Sequence, residues 1–329
     1  MSFPLPRTKN TINMKILYLT DGSSFGIPSN FNFGLRPHGT WMQLLNTFHC
    51  NYQRIDELID KNEKFDIAIL AAIHENRNDL INNTFISKIR KIANKIGFSQ
   101  EGGHNTFFIK TPISNQIFYI NIIQNVDFIM CHNEVDKKYY ENLYNKPCYI
   151  NKQMIYDLGE PTCEKENKVI LPGPSNIYYG SMDSYLMGLD TNLPMYVYKG
   201  HTYTSEHEYL ENITYLQWEP DYIKFNNNLK TFKYCMYLLQ NPIGGSFPLQ
   251  CAMNKVACFS WNTCETATEC FPDLVFDYGD YNKIRLMFNK IHNDSEYYLS
   301  IVNKARENFI KKYNFEDYTK NTINFLSNL

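Results

Sequence analysis

Short apolar runs, each closing on small or polar residues and followed by a stretch of helical spacing, recur along this chain. Met14–Thr20 runs into Asp21-Gly22-Ser23-Ser24, and Phe65–Ile73 runs into His74-Glu75. Val126–Cys131 precedes His132-Asn133-Glu134 and a helical stretch through Leu143, and Cys148–Ile150 closes this half. Apolar runs without alternation are strands buried on both faces, and strand–helix alternation demands a mostly parallel sheet covered by helices. The polar, turn-rich stretch Asp157–Asn167 interrupts the pattern, which then restarts at Lys168–Leu171, Met195–Tyr198, Ile213–Leu216 and Val256–Ser260. The expected fold is therefore α/β, with two tandem Rossmann-like doubly wound domains over 1–156 and 157–312, facing across a cleft. A last helical segment occupies 313–329. Helices are also expected within Asp79–Ile96 and Lys230–Leu239, from the spacing of their apolar residues. In open parallel sheets, ligands collect at the carboxyl ends of the strands.

With 329 residues, each half is long enough to bury its own core. A net charge of −2 provides no global field for holding nucleic acid. The nine cysteines include no CxxC pair, and Cys264-x5-Cys270 lacks a histidine pair at zinc spacing. Reduced thiols are expected, with no metal and no cofactor. No leader-like apolar stretch opens the sequence, and no window approaches ~18 uninterrupted apolar residues, so a cytoplasmic protein without a membrane span is expected.

The most informative segment is Asn241–Ser260 (NPIGGSFPLQCAMNKVACFS). Gly244 and Gly245 let the backbone approach a ligand closely, and Ser246 is expected as the N-cap of the helix that follows. Free amide groups and the positive helix end then converge on one spot, which suits a diphosphate.

Gly245-x-Phe247, then Cys251-Ala252-Met253 and a short strand at Val256–Ser260, resembles the donor-site signature of the GT-B glycosyltransferases. In that family a glycine-rich turn precedes glutamate-Ala-Met. The tail Ala305–Tyr318 is similar to the family's closing helices, which cross back onto the first domain, with Asn314-Phe315-Glu316-Asp317 at the junction. Cys270–Asp277 resembles the segment before its last strand. The resemblance covers the fold from about residue 14 to the end and reaches motif level from about 168. The family's retaining members carry two glutamates seven residues apart. Here Pro242 or Ile243, and Gln250 or Cys251, stand in their places.

The resemblance implies metal-independent transfer of a hexosyl or pentosyl group from a nucleotide-sugar, UDP-linked for example, to an acceptor hydroxyl with retention. On the donor side, Gly22, Ser175, Asn176, Gly180, Gly244, Gly245, Ser246 and Phe247 are candidates. Gln250 would bind the ribose, and Gln217 and Trp218 the base. Lys199, at a strand end, is the candidate cation for the departing diphosphate. On the acceptor side, His104, after Glu101-Gly102-Gly103, and Glu101 itself are the candidate bases, with His38 and His132 as competitors.

No GxGxxG follows the first strand, and no GxxxxGK[ST], GxSxG or HExxH occurs. The acceptor is left open among a glycan, a small molecule and a modified DNA base. The last would make the chain a viral DNA-modifying glycosyltransferase working in host cytoplasm, with Arg36, Lys88, Arg90, Lys91 and Lys95 as its basic groove. A third reading is a nucleotide-sugar-binding protein without catalysis.

Overall fold

The computed structural model describes residues 14–20, 51–54, 63–71, 84–99, 103–104, 112–172, 181–199, 210–219, 221–240 and 245–329. The described residues divide into two compact units, one running up to Lys152 and joined by Phe315–Leu329, the other spanning Gln153–Asn314.

The first unit holds strands β1 (Ile16–Thr20), β2 (Asn51–Arg54), β3 (Phe65–Ala71), β4 (Ala93–Ser99), β5 (Phe128–Cys131) and β6 (Cys148–Ile150). They form one parallel sheet in the order β2-β1-β3-β4-β5-β6. That is the flavodoxin-type winding, in which the order reverses between β1 and β3. Helices α1 (Thr84–Arg90), α2 (Ile113–Asn125) and α3 (Glu134–Tyr144) accompany it. Leu17, Leu19, Leu70, Ile96 and Ile129 point to one face, where Ile89, Phe118, Ile122 and Tyr140 of the three helices cover them. The other face shows Tyr18, Ile67, Ile69, Phe128 and Met130.

The second unit repeats the plan with β7 (Glu166–Leu171), β8 (Met195–Tyr198), β9 (Ile213–Leu216), β10 (Phe232–Tyr237), β11 (Ala257–Trp261) and β12 (Val275–Phe276). Its parallel order, β12-β11-β10-β7-β8-β9, is the Rossmann winding, with the switch point between β7 and β10. Its helices are α4 (Ser181–Leu189), α5 (Tyr222–Leu229), α6 (Ser246–Met253), α7 (Glu265–Cys270), α8 (Tyr281–Asn293) and α9 (Ser295–Lys312).

The chain then returns to the first unit as α10 (Phe315–Ser327). There Phe325 stacks on Tyr149 at 4.9 Å and meets Phe128 edge-on at 5.6 Å, and Leu326 joins the core on that face. Tyr149 Oη shares a 2.8 Å hydrogen bond with Thr322 Oγ1, and Tyr318 Oη donates to Asn151 Oδ1 at 2.8 Å.

Three expectations are corrected. Lys230–Leu239 is not a helix: α5 ends at Leu229, and Phe232–Tyr237 is the strand β10. Because β10 is hydrogen-bonded to β7 and β11 and is largely buried, its apolar run shows no alternation by which to recognise it. The helix expected within Asp79–Ile96 is described only as Thr84–Arg90, and Ala93–Ser99 pairs with β3 as a strand. There the Phe65 amide donates to the Ile92 carbonyl at 2.7 Å, anchoring the chain as it becomes extended. The first boundary falls after Lys152, because the segment that follows packs on the second unit. Met154 and Ile155 are buried, Tyr222 Oη donates to the Tyr156 carbonyl at 2.6 Å, and the Leu158 amide donates to Met253 Sδ at 3.3 Å.

Asp157 in this segment completes the packing. Arg306 of α9 is 4% exposed, and its Nη2 lies 2.7 Å from both Asp157 carboxylate oxygens. Arg306 Nε and Nη1 make no hydrogen bond, although Nε lies 3.7 Å from Glu160. Removing the carboxylate strands a buried guanidinium, whereas removing the guanidinium leaves a carboxylate that is 41% exposed and easily hydrated. Asp157→Ala is therefore expected to cost about 2 kcal/mol, and Arg306→Met clearly less. Denaturant midpoints check the order; a larger loss for Arg306→Met would overturn it.

Candidate functional site

All six strands of the second sheet are parallel, so their carboxyl ends line one edge. At the switch point that edge carries the N-terminus of α6. Gly245, with φ −44° and ψ 137°, is its N-cap, and no side chain caps it. Ser246 is already the first helical residue, which corrects its expected capping role. A Cβ on Gly245 would run into the Tyr237 hydroxyl, so packing alone is sufficient reason for this glycine. Thr266 Oγ1 donates to the Gly245 carbonyl at 2.7 Å and fixes the turn from the other side.

Phe247 is 7% exposed, its ring lying parallel to Tyr237 at 5.8 Å and near Phe225 at 6.1 Å. Gln250 is 1% exposed in the same helix. Both side chains lie in the packed interior. Lys199 follows β8 directly, half-buried, its amide donating to the Leu216 carbonyl at 2.8 Å. Gln217 and Trp218 follow β9 and are exposed. At roughly 5 Å per strand, the end of β8 lies one step from β7, and that of β9 about 10 Å away. The geometry thus brings Gly245, Ser246, Lys199, Gln217 and Trp218 to one edge. Gly22, Glu101, Ser175, Asn176, Gly180 and Gly244 lie outside the described residues, as do His38 and Arg36.

The same edge holds a polar network that the sequence did not signal. Asp183, in the first turn of α4, accepts from Gln240 Nε2 at 3.1 Å and from Tyr281 Oη at 3.1 Å. Gln240 also donates to Tyr278 Oη at 3.3 Å. Trp261, at the end of β11, meets the Tyr278 and Tyr281 rings edge-on at 5.5 and 5.3 Å, and its buried Nε1 has no hydrogen-bond partner among the described residues. Burial, with Asp183 adding to it, pushes the Tyr281 phenol up to about 12, so this hydroxyl stays a donor at neutral pH.

In the first unit, His104 lies beyond the carboxyl end of β4, beside α3. Asp136, buried in the first turn of α3, accepts from the His104 amide at 3.0 Å and from its Nδ1 at 2.6 Å. Asn133 caps α3, its Oδ1 accepting from the Asp136 amide at 2.8 Å while its Nδ2 donates to Asp136 Oδ2 at 2.9 Å. A carboxylate only accepts, so Nδ1 is the donor in this pair, and in the neutral ring Nε2 carries the lone pair. Tyr139 stacks on the imidazole at 4.3 Å and restricts its rotation. His132 is half-buried just after β5. Asp136 was not among the expected residues. Its only sequence mark is its place two residues after Glu134, in the turn that follows β5.

Of the basic residues considered for a groove, Arg90 is tied down, donating to Asp127 and, at 3.0 Å, to the Asn125 carbonyl. Lys88 and Lys91 are exposed and Lys95 is half-buried.

No protein-family model matches the sequence, and no curated protein matches it. Solved structures do. Sucrose-phosphate synthase from Thermosynechococcus elongatus superposes with a TM-score of 0.68 at 9% identity, over 95% of this chain and 98% of that one. The chain has the GT-B glycosyltransferase fold. HepE of Anabaena, in complex with UDP, shares this GT-B fold at a TM-score of 0.65 and 9% identity, over 96% and 100% of the two chains. TarM gives 0.62 at 15% identity over 81% of this chain, which spans only 55% of TarM. At such identities the likeness is one of fold. No helix among the described residues is long and apolar enough to cross a membrane.

Proposed function

We propose that this chain is a glycosyltransferase that moves a sugar from a nucleotide-diphosphate donor to an acceptor hydroxyl. The observation that carries the reading is the α6 N-terminus, placed at the switch point of a Rossmann-wound sheet and left without a side-chain cap. Amide groups there, with the positive end of the helix, suit a diphosphate. Several GT-B structures to which the chain is similar were solved with UDP or a UDP-sugar, which supports a UDP-linked donor. Trp218 and Gln217 take the base. Lys199, in place of a metal ion, is the counter-charge for the leaving diphosphate. Lys199→Ala is expected to lower turnover roughly tenfold to a hundredfold with the fold intact; unchanged turnover would remove it from this role.

On the acceptor side, His104 Nε2 takes the hydroxyl proton while Asp136 holds the ring. Retention is the course implied by the family resemblance. The His104–Asp136 pair, with its carboxylate buried, favours a second reading, inversion, because that route needs a true base. The anomeric configuration of the first product, read by NMR, separates the two.

Titration with UDP-, GDP- and ADP-sugars, following binding and nucleotide release together, tests the proposal. Binding with release supports it, binding without release on any acceptor favours a non-catalytic binding protein, and no binding defeats both. A double variant tests whether Gly245 serves more than packing. Gly245→Ala is expected to weaken donor binding, and adding Tyr237→Phe relieves the clash. If the ligand itself needs the bare backbone, affinity stays low in the double variant while stability recovers; full recovery of both would reduce Gly245 to packing.

A further inference from the structure

Three cysteines scattered in sequence meet beneath α6. Cys235 on β10 and Cys258 on β11 are register partners, so their side chains leave the sheet on the same face. Cys251 comes from α6, the crossover helix between those strands. The three Sγ atoms all lie within 4.8 Å of one another, and all three residues are fully buried.

We infer that Cys235, Cys251 and Cys258 form a three-thiolate site for a thiophilic divalent cation of the zinc type. A metal–thiolate bond of about 2.3 Å places ligating sulfurs about 4 Å apart, which this spacing accommodates with small adjustment. Charge selects the ion. Three thiolates and a divalent cation carry −1, and the Lys165 ammonium, which acts on Cys251, brings the buried total to zero. A monovalent ion would leave a net charge in the core.

Lys165 is held there by the carbonyls of Lys230 at 2.7 Å and Asn254 at 2.5 Å. Binding of the ion releases the thiol protons, because only thiolates ligate. No further cysteine, histidine or carboxylate joins the three among the described residues, so the protein supplies three ligands. Cys251 lies six residues beyond Gly245, about 9 Å along the helix, so a bound ion would pin α6 to the two strands beneath it.

The test uses the full chain expressed with zinc in the medium and purified without chelator. One zinc per chain by elemental analysis is expected, with X-ray absorption at the zinc edge showing about three sulfurs at bonding distance. Cys251→Ala should abolish the stoichiometric metal. Cys270→Ala, a buried cysteine outside the group, should keep it. Substoichiometric zinc in the wild-type chain, an oxygen- or nitrogen-dominated edge spectrum, or equal zinc in Cys251→Ala would overturn the inference. Because the wild-type measurements stand alone, a variant that fails to fold leaves the test intact. None of these readouts depends on catalysis, so failure here leaves the proposed transferase standing.

Discussion

Replacing His104 with alanine is expected to lower kcat by about 10²–10⁴-fold, the range for loss of a positioned general base, with little change in donor affinity. The split follows from location, because His104 belongs to the first unit while Lys199, Gln217, Trp218, Gly245 and Ser246 belong to the second. Asp136→Asn should come close to the same loss. An asparagine amide must set its NH2 against a donor, either the His104 backbone N–H or Asn133 Nδ2, and its neutral carbonyl accepts from Nδ1–H more weakly than a carboxylate, so the ring is held less firmly. Asparagine keeps the size of the buried side chain, so the fold should survive. Its mark is a lowered kcat with an altered pH profile, which a purely structural role would not produce. Rates of nucleotide release over a pH series measure both variants. Near-wild-type turnover in His104→Ala would remove the base from the mechanism.

Gly97→Ala is expected to cost about 3 kcal/mol or more, among the largest stability losses in the first unit. Gly97 on β4 pairs in register with Phe128 on β5, and a Cβ there would enter the Phe128 ring. The ring has no room to retreat, being fully buried with Phe325 of α10 against it. Displacing it would also loosen α10, whose Leu326 shares the same core face. Thermal or denaturant unfolding of the variant measures the loss; a change below 1 kcal/mol would show that the sheet yields more easily than close packing implies.

The parallel character of both sheets was largely legible because parallel strands buried on two faces leave uninterrupted apolar runs such as Phe65–Ala71. The same property hid β10. Phe232–Tyr237 has no polar side to give it a period of two, so it reads equally well as a buried helix. Ala93–Ser99 failed for a related reason, since Ala93 and Ile96 fit helical spacing behind Ile89 as well as they fit a strand. The stretch Asp157–Asn167 reads as a break between the halves because it is polar and turn-rich. Its charges are instead partners for Arg306 and Lys255 on the second unit.

The turn at Gly245 and Ser246 was visible because glycines before a helical run mark a place where backbone must come close to something. What comes close to Gly245 is Tyr237, eight residues back in sequence as the chain runs off β10, and no spacing rule could have named it. Asp136 beside His104 was hidden for the same reason, 32 residues away and brought in only by the adjacency of β4 and β5.

By itself the sequence determined two parallel-sheet units, the start of a helix just after Gly244-Gly245 and the strand-end positions of Lys199, Gln217 and Trp218, all of which follow from local periodicity and turn chemistry. Tertiary structure alone decided that His104 is held by Asp136, that Asp183, Gln240 and Tyr281 form one network, and that Cys235, Cys251 and Cys258 meet. Those pairings depend on which strands lie side by side and which face each residue presents, and both are set by packing of the whole unit rather than by neighbours along the chain.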